Sequence, residues 1–330
     1  MVLIRDVSIQ PLHHVIERPC HERCAALHLS TIQGRSMTSL LAKLRSGSFV
    51  VTTELTPPKG IDLTALYARA ESLRHFVDAF NVTESPRARM AIDPRSVGKL
   101  LLDRGLEPIV QMTARDRNRI AIQADLLGAA ALGVTNFVFM GGDPPKIGDH
   151  PEAKPVFDLN TSGMLKAARS LNQGRDMAGN ELTGVPRLVL GAIANPAAAD
   201  FPDEVENTRR KIDAGAEFLQ TQALYDPAVL ERFLDAVKPD GVAVLAGIIP
   251  LKSIKMATWL NTSVPGIVVP ESLLAEMQAV SGTDREAATG LAIAQRTIAH
   301  VKPLCAGIHM IALGWESYIP EILRGGGVRP

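Results

Sequence analysis

Asn136-Phe137-Val138-Phe139-Met140-Gly141-Gly142-Asp143-Pro144-Pro145-Lys146 is an apolar run that stops at two glycines, an acid and two prolines. The run reads as a buried strand. The residues after Met140 read as a loop, because proline brings no backbone donor and glycine frees the backbone. An aspartate just past a buried strand is either a solvated loop acid or part of a site, since α/β proteins place chemistry there. The same strand-then-polar-exit pattern recurs along the chain, and the recurrence gives the fold.

Before this stretch, short β-branched and apolar runs at 49–55, 78–83 and 107–113 predict three strands. After it, runs at 187–193, 217–222, 242–249 and 307–312 predict four more. Between them lies helical periodicity at 62–76, 94–104, 116–132, about 159–172, 203–214, 227–237, 251–260 and about 283–302, with a closing helix at 316–323. Gly105 and Gly133 stop two of these helices, and Pro94 starts one. The polar, glycine-rich segment 174–185 reads as an excursion. Each parallel crossover needs a helix, so eight strand–helix units imply a parallel sheet. Eight is also the number that closes a (β/α)8 TIM barrel. An open doubly wound sheet is the alternative, but it would want a glycine-rich first turn, which this chain lacks. The expected organisation is an N-terminal arm over 1–36 and one barrel over 37–330.

Composition narrows the function. The 330 residues are 46% hydrophobic and 21% charged, an ordinary globular mixture able to bury a large core. Thirty-five basic residues balance thirty-five acidic ones, and only 4% of residues are aromatic. Neither a basic excess nor a base-stacking surface points to nucleic acid. No uninterrupted apolar run would span a bilayer, and the N-terminus lacks the apolar core of a secretory signal. Cys20, Cys24 and Cys305 are too few for a disulfide framework, so a cytoplasmic setting is the expectation. Cys20-His21-Glu22-Arg23-Cys24 holds ligand-type residues but no second pair to close a zinc site, and no metal is expected.

In a barrel, functional residues come from the C-terminal ends of the strands. Those ends carry Glu54, Thr83, Gln111 with Thr113, Asp143, Asn195, Gln222, the turn 247–250, and His309. Two carboxylates, amides and threonines suit protonation and hydrogen bonding more than covalent catalysis. A bound cofactor would have to supply any redox step. His309 fits a site residue and a satisfied interior histidine equally well. Lys211 and Glu204 alone would read as a solvated helix face.

Several stretches together resemble the methylenetetrahydrofolate reductases. They are Glu54-Leu55-Thr56-Pro57-Pro58-Lys59, the segment 111–119 (QMTARDRNR), Gly142-Asp143-Pro144-Pro145, the segment 210–218 with Thr221-Gln222, Ala246-Gly247-Ile248-Ile249-Pro250, and Ala306-Gly307-Ile308-His309. They stand in the family's order and cover about residues 45–325. The resemblance implies a barrel that binds FAD and interconverts 5,10-methylenetetrahydrofolate and 5-methyltetrahydrofolate in one-carbon metabolism, leading toward methionine. It implies Glu54 as general acid, Asp143 between pterin and flavin, and Gln222 on the folate. It implies flavin contacts at Thr83, Gln111, Thr113, Gly142, Asn195, Glu204 and Lys211, with Lys211 and Arg115 as diphosphate partners by charge.

Departures from the family pattern bear on the electron donor. Gly141 stands where an arginine is common, Asn195 where a tyrosine is common, and Ile254 near an aromatic that packs on nicotinamide in some members. The flavin and folate parts look retained. The NADH or NADPH part is open, so an electron-transfer partner protein or methyl-folate oxidation are alternative expectations. A homo-oligomer is expected. The competing reading is a non-catalytic flavin- or folate-binding subunit of a larger redox or methyl-transfer complex.

Overall fold

The computed structural model describes residues 39–329. The arm 1–36, with Cys20 and Cys24, lies outside the described residues. Eight parallel strands close into a barrel in sequence order: β1 (Val50–Leu55), β2 (Ala79–Val82), β3 (Pro108–Thr113), β4 (Asn136–Met140), β5 (Val189–Ala194), β6 (Phe218–Ala223), β7 (Ala243–Ile248) and β8 (Gly307–Met310). β8 pairs with β1 through Thr52 opposite His309, which closes the ring and removes the open-sheet alternative.

Helices α1 (Ser39–Arg45), α2 (Thr64–Leu73), α3 (Pro94–Leu102), α4 (Arg119–Ala131), α5 (Thr161–Asn172), α6 (Phe201–Asp213) and α7 (Pro227–Val237) precede or follow strands β1 to β6. After β7 come α8 (Ile254–Ser263), α9 (Glu271–Ala279) and α10 (Arg285–Val301), and α11 (Ile319–Gly325) ends the chain. Several helices start where a short polar side chain caps a free backbone donor. Asp93 accepts from Ser96 N at 2.9 Å, Asn118 from Ala121 N at 3.0 Å, and Asn160 from Gly163 N at 2.8 Å. Each such cap contributes about 1 kcal/mol.

Side chains two apart on a strand share a face. The outward residues, such as Val51, Leu55, Val110, Phe137 and Leu219, pack under the helices in one large core. The inward residues form levels. At the floor, Val50, Ala79, Ile109, Val138, Val189, Phe218 and Leu245 pack together, and Leu40 of α1 plugs them from below. One level up, Thr52, Asn81, Gln220 and His309 are buried and polar. Above them, Glu54 and Gln111 reach the mouth. The interior therefore runs from apolar floor to polar top, which aims the chemistry at the strands' C-terminal ends.

The sequence reading placed no helix at 271–279. There, Leu273, Leu274 and Met277 of α9 pack with α8 and α10 in a second apolar cluster. α9 has Pro270 at its N-cap and no side-chain cap, so tertiary packing defines it more than local signals do. β8 ends at Met310, two residues short of the expected end, and Leu313 then takes a left-handed φ of 49°. The excursion 174–185 contains an antiparallel bridge between Arg175 and Glu181, whose side chains also pair at 2.9 Å. No helix among the described residues is long and apolar enough to cross a membrane.

Candidate functional site

Glu54 is the last inward residue of β1, and its side chain is about a quarter exposed (26%) at the barrel mouth. Gln111 Nε2 of β3 donates to its Oε1 at 3.1 Å, and His309 Nε2 of β8 lies 3.7 Å from the same oxygen. Below it, the buried level is fully connected. His309 Nδ1 meets Thr52 Oγ1 at 2.9 Å, and Asn81 and Gln220 exchange amide hydrogen bonds at 2.7 and 3.1 Å. The sequence reading did not single out Thr52, Asn81 or Gln220. The signal was present, since each sits two residues before a polar strand end, on the same face.

Gln222 lies at an irregularity in β6. The β6–β7 register shifts between Gln220 and Ala223, a bulge-like step that re-aims a side chain. A Cβ on Gly247 would lie 2.3 Å from Thr221 O and 2.8 Å from Gln222 O, so the bulge needs glycine on the neighbouring strand. Gln222 Oε1 accepts from Ala223 N at 3.0 Å. Tyr225 Oη, buried, donates to Ile249 O at 2.9 Å and ties the two strand exits together.

Asp143 sits on the loop after β4, exposed at the mouth. Its Oδ2 accepts from Arg87 N at 2.8 Å. That amide belongs to a turn in which Ser85, Arg87 and Ala88 all have left-handed φ values of 42°, 56° and 53°. Non-glycine residues in this region cost about 1 kcal/mol or more each and persist only where surroundings hold them. Here Asp143 holds one amide, and Arg115 Nη1 reaches the carbonyls of Ser85 (3.5 Å) and Asp143 (3.3 Å). Arg115 is buried, and Asp116 takes its other edge at 2.7 and 2.9 Å. Its guanidinium therefore braces the β2 and β4 exits. Gly142, at φ 91°, passes so close that a Cβ would lie 2.9 Å from Thr113 Cβ.

Two further acids lock the loops. Glu84, buried, accepts from Thr113 N at 2.6 Å and pairs with the two terminal Arg117 nitrogens at 2.6 and 2.9 Å. Asp149 bridges Lys59 of the β1 loop and Met90 N of the β2 loop. The Lys59 ammonium, then the Met90 amide, hold the Asp149 carboxyl down at about 2.

At the β5 exit a second set converges. Lys211 is buried rather than solvated; its Nζ donates to Ile193 O at 2.8 Å and lies 3.6 Å from Glu204 Oε1. Burial pushes its pKa below the usual lysine value, with Glu204 opposing the shift. Glu204 also accepts from Asn195 N at 2.9 Å and Thr208 Oγ1 at 3.1 Å. Ile193, Asn195, Glu204 and Lys211 line a groove of about 780 Å³ with Met140, Gly141, Asn160 and Lys166. The structure thus gathers Glu54 and Gln111 at the mouth's centre, and Asn195, Glu204 and Lys211 at one side.

Three buried oxygens at the strand exits, Thr83 Oγ1, Thr113 Oγ1 and Asn195 Oδ1, have no hydrogen-bond partner. Buried polar atoms are rarely left so, and the Asn195 side chain packs against Gly266. The groove's size and its cationic lining of Lys166, Arg210 and Lys211 suit a large, partly anionic ligand.

Known proteins share sequence and fold with this chain. The family model described as methylenetetrahydrofolate reductase matches residues 39–327. Methylenetetrahydrofolate reductase 2 of Schizosaccharomyces pombe is 23% identical over 315 residues, covering 88% of this chain and 47% of its own length. A 5,10-methylenetetrahydrofolate reductase of Pectobacterium carotovorum is 25% identical over 242 residues, covering 71% of this chain and 76% of its own. The chain spans about half the length of the yeast relative and 36% of a Caenorhabditis elegans relative described as a probable NADPH-type methylenetetrahydrofolate reductase. Among solved structures, a Clostridium thermocellum protein described as binding two copies of 5-methyl-5,6,7,8-tetrahydrofolic acid superposes with a TM-score of 0.59. That likeness, at 16% identity over 88% of this chain and 96% of the other, is one of fold.

Proposed function

The chain belongs to the methylenetetrahydrofolate reductase family, and from that premise we propose that it interconverts 5,10-methylenetetrahydrofolate and 5-methyltetrahydrofolate with bound FAD. The observation that carries the reading is Glu54. It is a lone carboxylate at the top of an uncharged polar interior, held by Gln111 and open to the mouth. A group so placed can pass a proton to a substrate atom above it. In the reductive direction that atom is a nitrogen of the folate's five-membered ring. Protonation lets the ring's C–N bond break, its electron pair passing to that nitrogen, and leaves a carbon cation ready for hydride.

When bound, FAD supplies the hydride chemistry that no side chain here provides. The chain's own residues orient and hold. Gln222, at the end of β6, offers its amide to the pterin. Asp143 sits where it can meet the pterin and bias the flavin's charge. Thr83, Gln111, Thr113, Gly142 and Asn195 border the ring-binding edge, and Lys211 with Glu204 faces the phosphate side. Arg115 acts on this site through the turns it braces. The low cysteine content supports a reducing, cytoplasmic setting.

The test is direct. The purified protein should be yellow, and its flavin, once reduced without oxygen, should be reoxidised on adding methylenetetrahydrofolate. A chain that takes up no flavin, or whose reduced flavin ignores the folate, would overturn the reading.

A further inference from the structure

His309 and the buried side chains around it have no part in the proton and hydride steps, yet their hydrogen bonds form one directed chain. Gln220 Nε2 donates to Asn81 Oδ1 at 3.1 Å and lies 3.3 Å from Thr52 Oγ1; Thr52 Oγ1 lies 2.9 Å from His309 Nδ1. All four residues are buried, so none can exchange a partner for bulk water. A hydroxyl that accepts from an amide gives its own proton onward. Thr52 therefore donates to Nδ1, Nδ1 is the bare nitrogen, and the imidazole proton sits on Nε2.

Turning both amides over would keep their mutual hydrogen bonds and reverse the chain, putting the proton on Nδ1. Amide orientation follows from the network around it, and here the top of the network decides. Glu54 Oε1 lies 3.7 Å from Nε2. A bare nitrogen there would set acceptor against carboxylate, whereas an N–H would meet it favourably.

We propose that Thr52 and Gln220 are positioning residues that hold His309 as the Nε2–H tautomer, aimed at Glu54. The inference rests on the reading of Glu54 as general acid. When Glu54 gives its proton to the folate nitrogen, it is left as a carboxylate. Gln111 Nε2–H and His309 Nε2–H then both donate to that carboxylate, and His309 keeps its proton. Two donors then stabilise the charge left on that carboxylate. Hydrogen bonds of this kind are often long before substrate arrives and tighten in the complex. Glu54 is the one charged side chain in contact with His309 among the described residues.

The experiment has two arms on the FAD-loaded chain. In the first, 15N-labelled histidine reports which nitrogen of His309 carries the proton, with His309→Gln used to assign its signal among the eight histidines. Wild type should show Nε2–H; Nδ1–H would overturn the proposal. In the second, Thr52→Val removes the hydroxyl at similar volume and Thr52→Ser restores it. Thr52→Val should lose the pure Nε2–H signature and slow flavin reoxidation by methylenetetrahydrofolate about tenfold or more, as expected for a misaimed donor to a charged group. Thr52→Ser should recover both. Equal slowing in both variants, or no change in Thr52→Val, would overturn the proposal. If wild-type flavin is not reoxidised by the folate, the functional reading fails while the tautomer measurement still stands on its own.

Discussion

Glu54 and Lys211 are both charged groups set into strand exits, and they meet opposite physical conditions. Glu54 has donors on two sides and an opening above it. Glu54→Gln keeps the shape and removes the transferable proton. Flavin content should be unchanged, while reoxidation by methylenetetrahydrofolate should fall by about 10²–10⁴-fold, the usual contribution of a positioned acid. Full folate turnover in this variant would displace Glu54 from its role. Lys211 is held under cover, and burial depresses its pKa. A base whose folded pKa lies below its unfolded value binds fewer protons when folded, so stability rises with pH between those two values. Below the folded pKa the buried ammonium costs stability. Lys211→Met removes that cost, and Glu204 keeps the Asn195 and Thr208 donors. The flavin-free variant should therefore melt above wild type near neutral pH, with the gap closing as pH rises toward about 10. FAD affinity should fall about tenfold with the lost charge-assisted contact. Parallel pH profiles together with unchanged FAD binding would remove Lys211 from the cofactor's phosphate side. This burial was not legible in the chain, since a lysine amid polar helix residues looks solvated. It depends on the β5 exit folding over the side chain.

At the scale of elements, loops and bulges matter more than strand lengths. Alternation made β1 through β7 legible to within a residue or two, because apolar runs bounded by glycine and proline carry their own stops. The β6 bulge left no such mark, since its cause is the missing Cβ on a different strand. Gly247→Ala would press a methyl against backbone oxygens that cannot swing away. It should cost about 1–3 kcal/mol of stability. It should also raise the folate KM more than it lowers FAD content, because Gln222 is what moves. A variant with unchanged stability would show that the strands separate to admit the methyl. The three-loop clasp at Asp149 was equally illegible, as its partners lie 59 and 90 residues away. Its folded pKa, about 2, lies below the ordinary 3.8. The clasp's contribution is thus fully present above 3.8 and lost as pH falls through the window toward 2. Asp149→Asn should leave residues 85–92 exchanging amide protons faster than wild type at pH 6, with the difference closing by about pH 2. A difference that persists unchanged in acid would show that Asp149's charge is not what holds the loops.

For the whole molecule, the eightfold alternation settled the architecture, and the closed ring explains why residues from distant positions share one mouth. What alternation cannot encode is which partner reduces the flavin, since that depends on surfaces above the mouth. Ile254 opens α8, and its side chain packs into the α8–α10 cluster. An aliphatic residue there gives a nicotinamide ring less to stack on than an aromatic would, and aromatic pairs add about 0.5–1.5 kcal/mol beyond burial. On the proposed reading, the same mouth holds Glu54, Gln222 and Asp143 on the folate side of the chemistry. Folate should therefore exchange electrons with this flavin more readily than either nicotinamide does. Anaerobic mixing of the oxidised protein with NADH, NADPH and 5-methyltetrahydrofolate in parallel would measure it through loss of flavin absorbance. Slow bleaching by both nicotinamides beside fast bleaching by the methyl-folate is the expected result, and it would point to methyl-folate oxidation or to a different electron carrier. Bleaching by NADH or NADPH as fast as by the methyl-folate would mean that stacking at this position does not limit the nicotinamide step, and that the mouth binds the donor by other side chains.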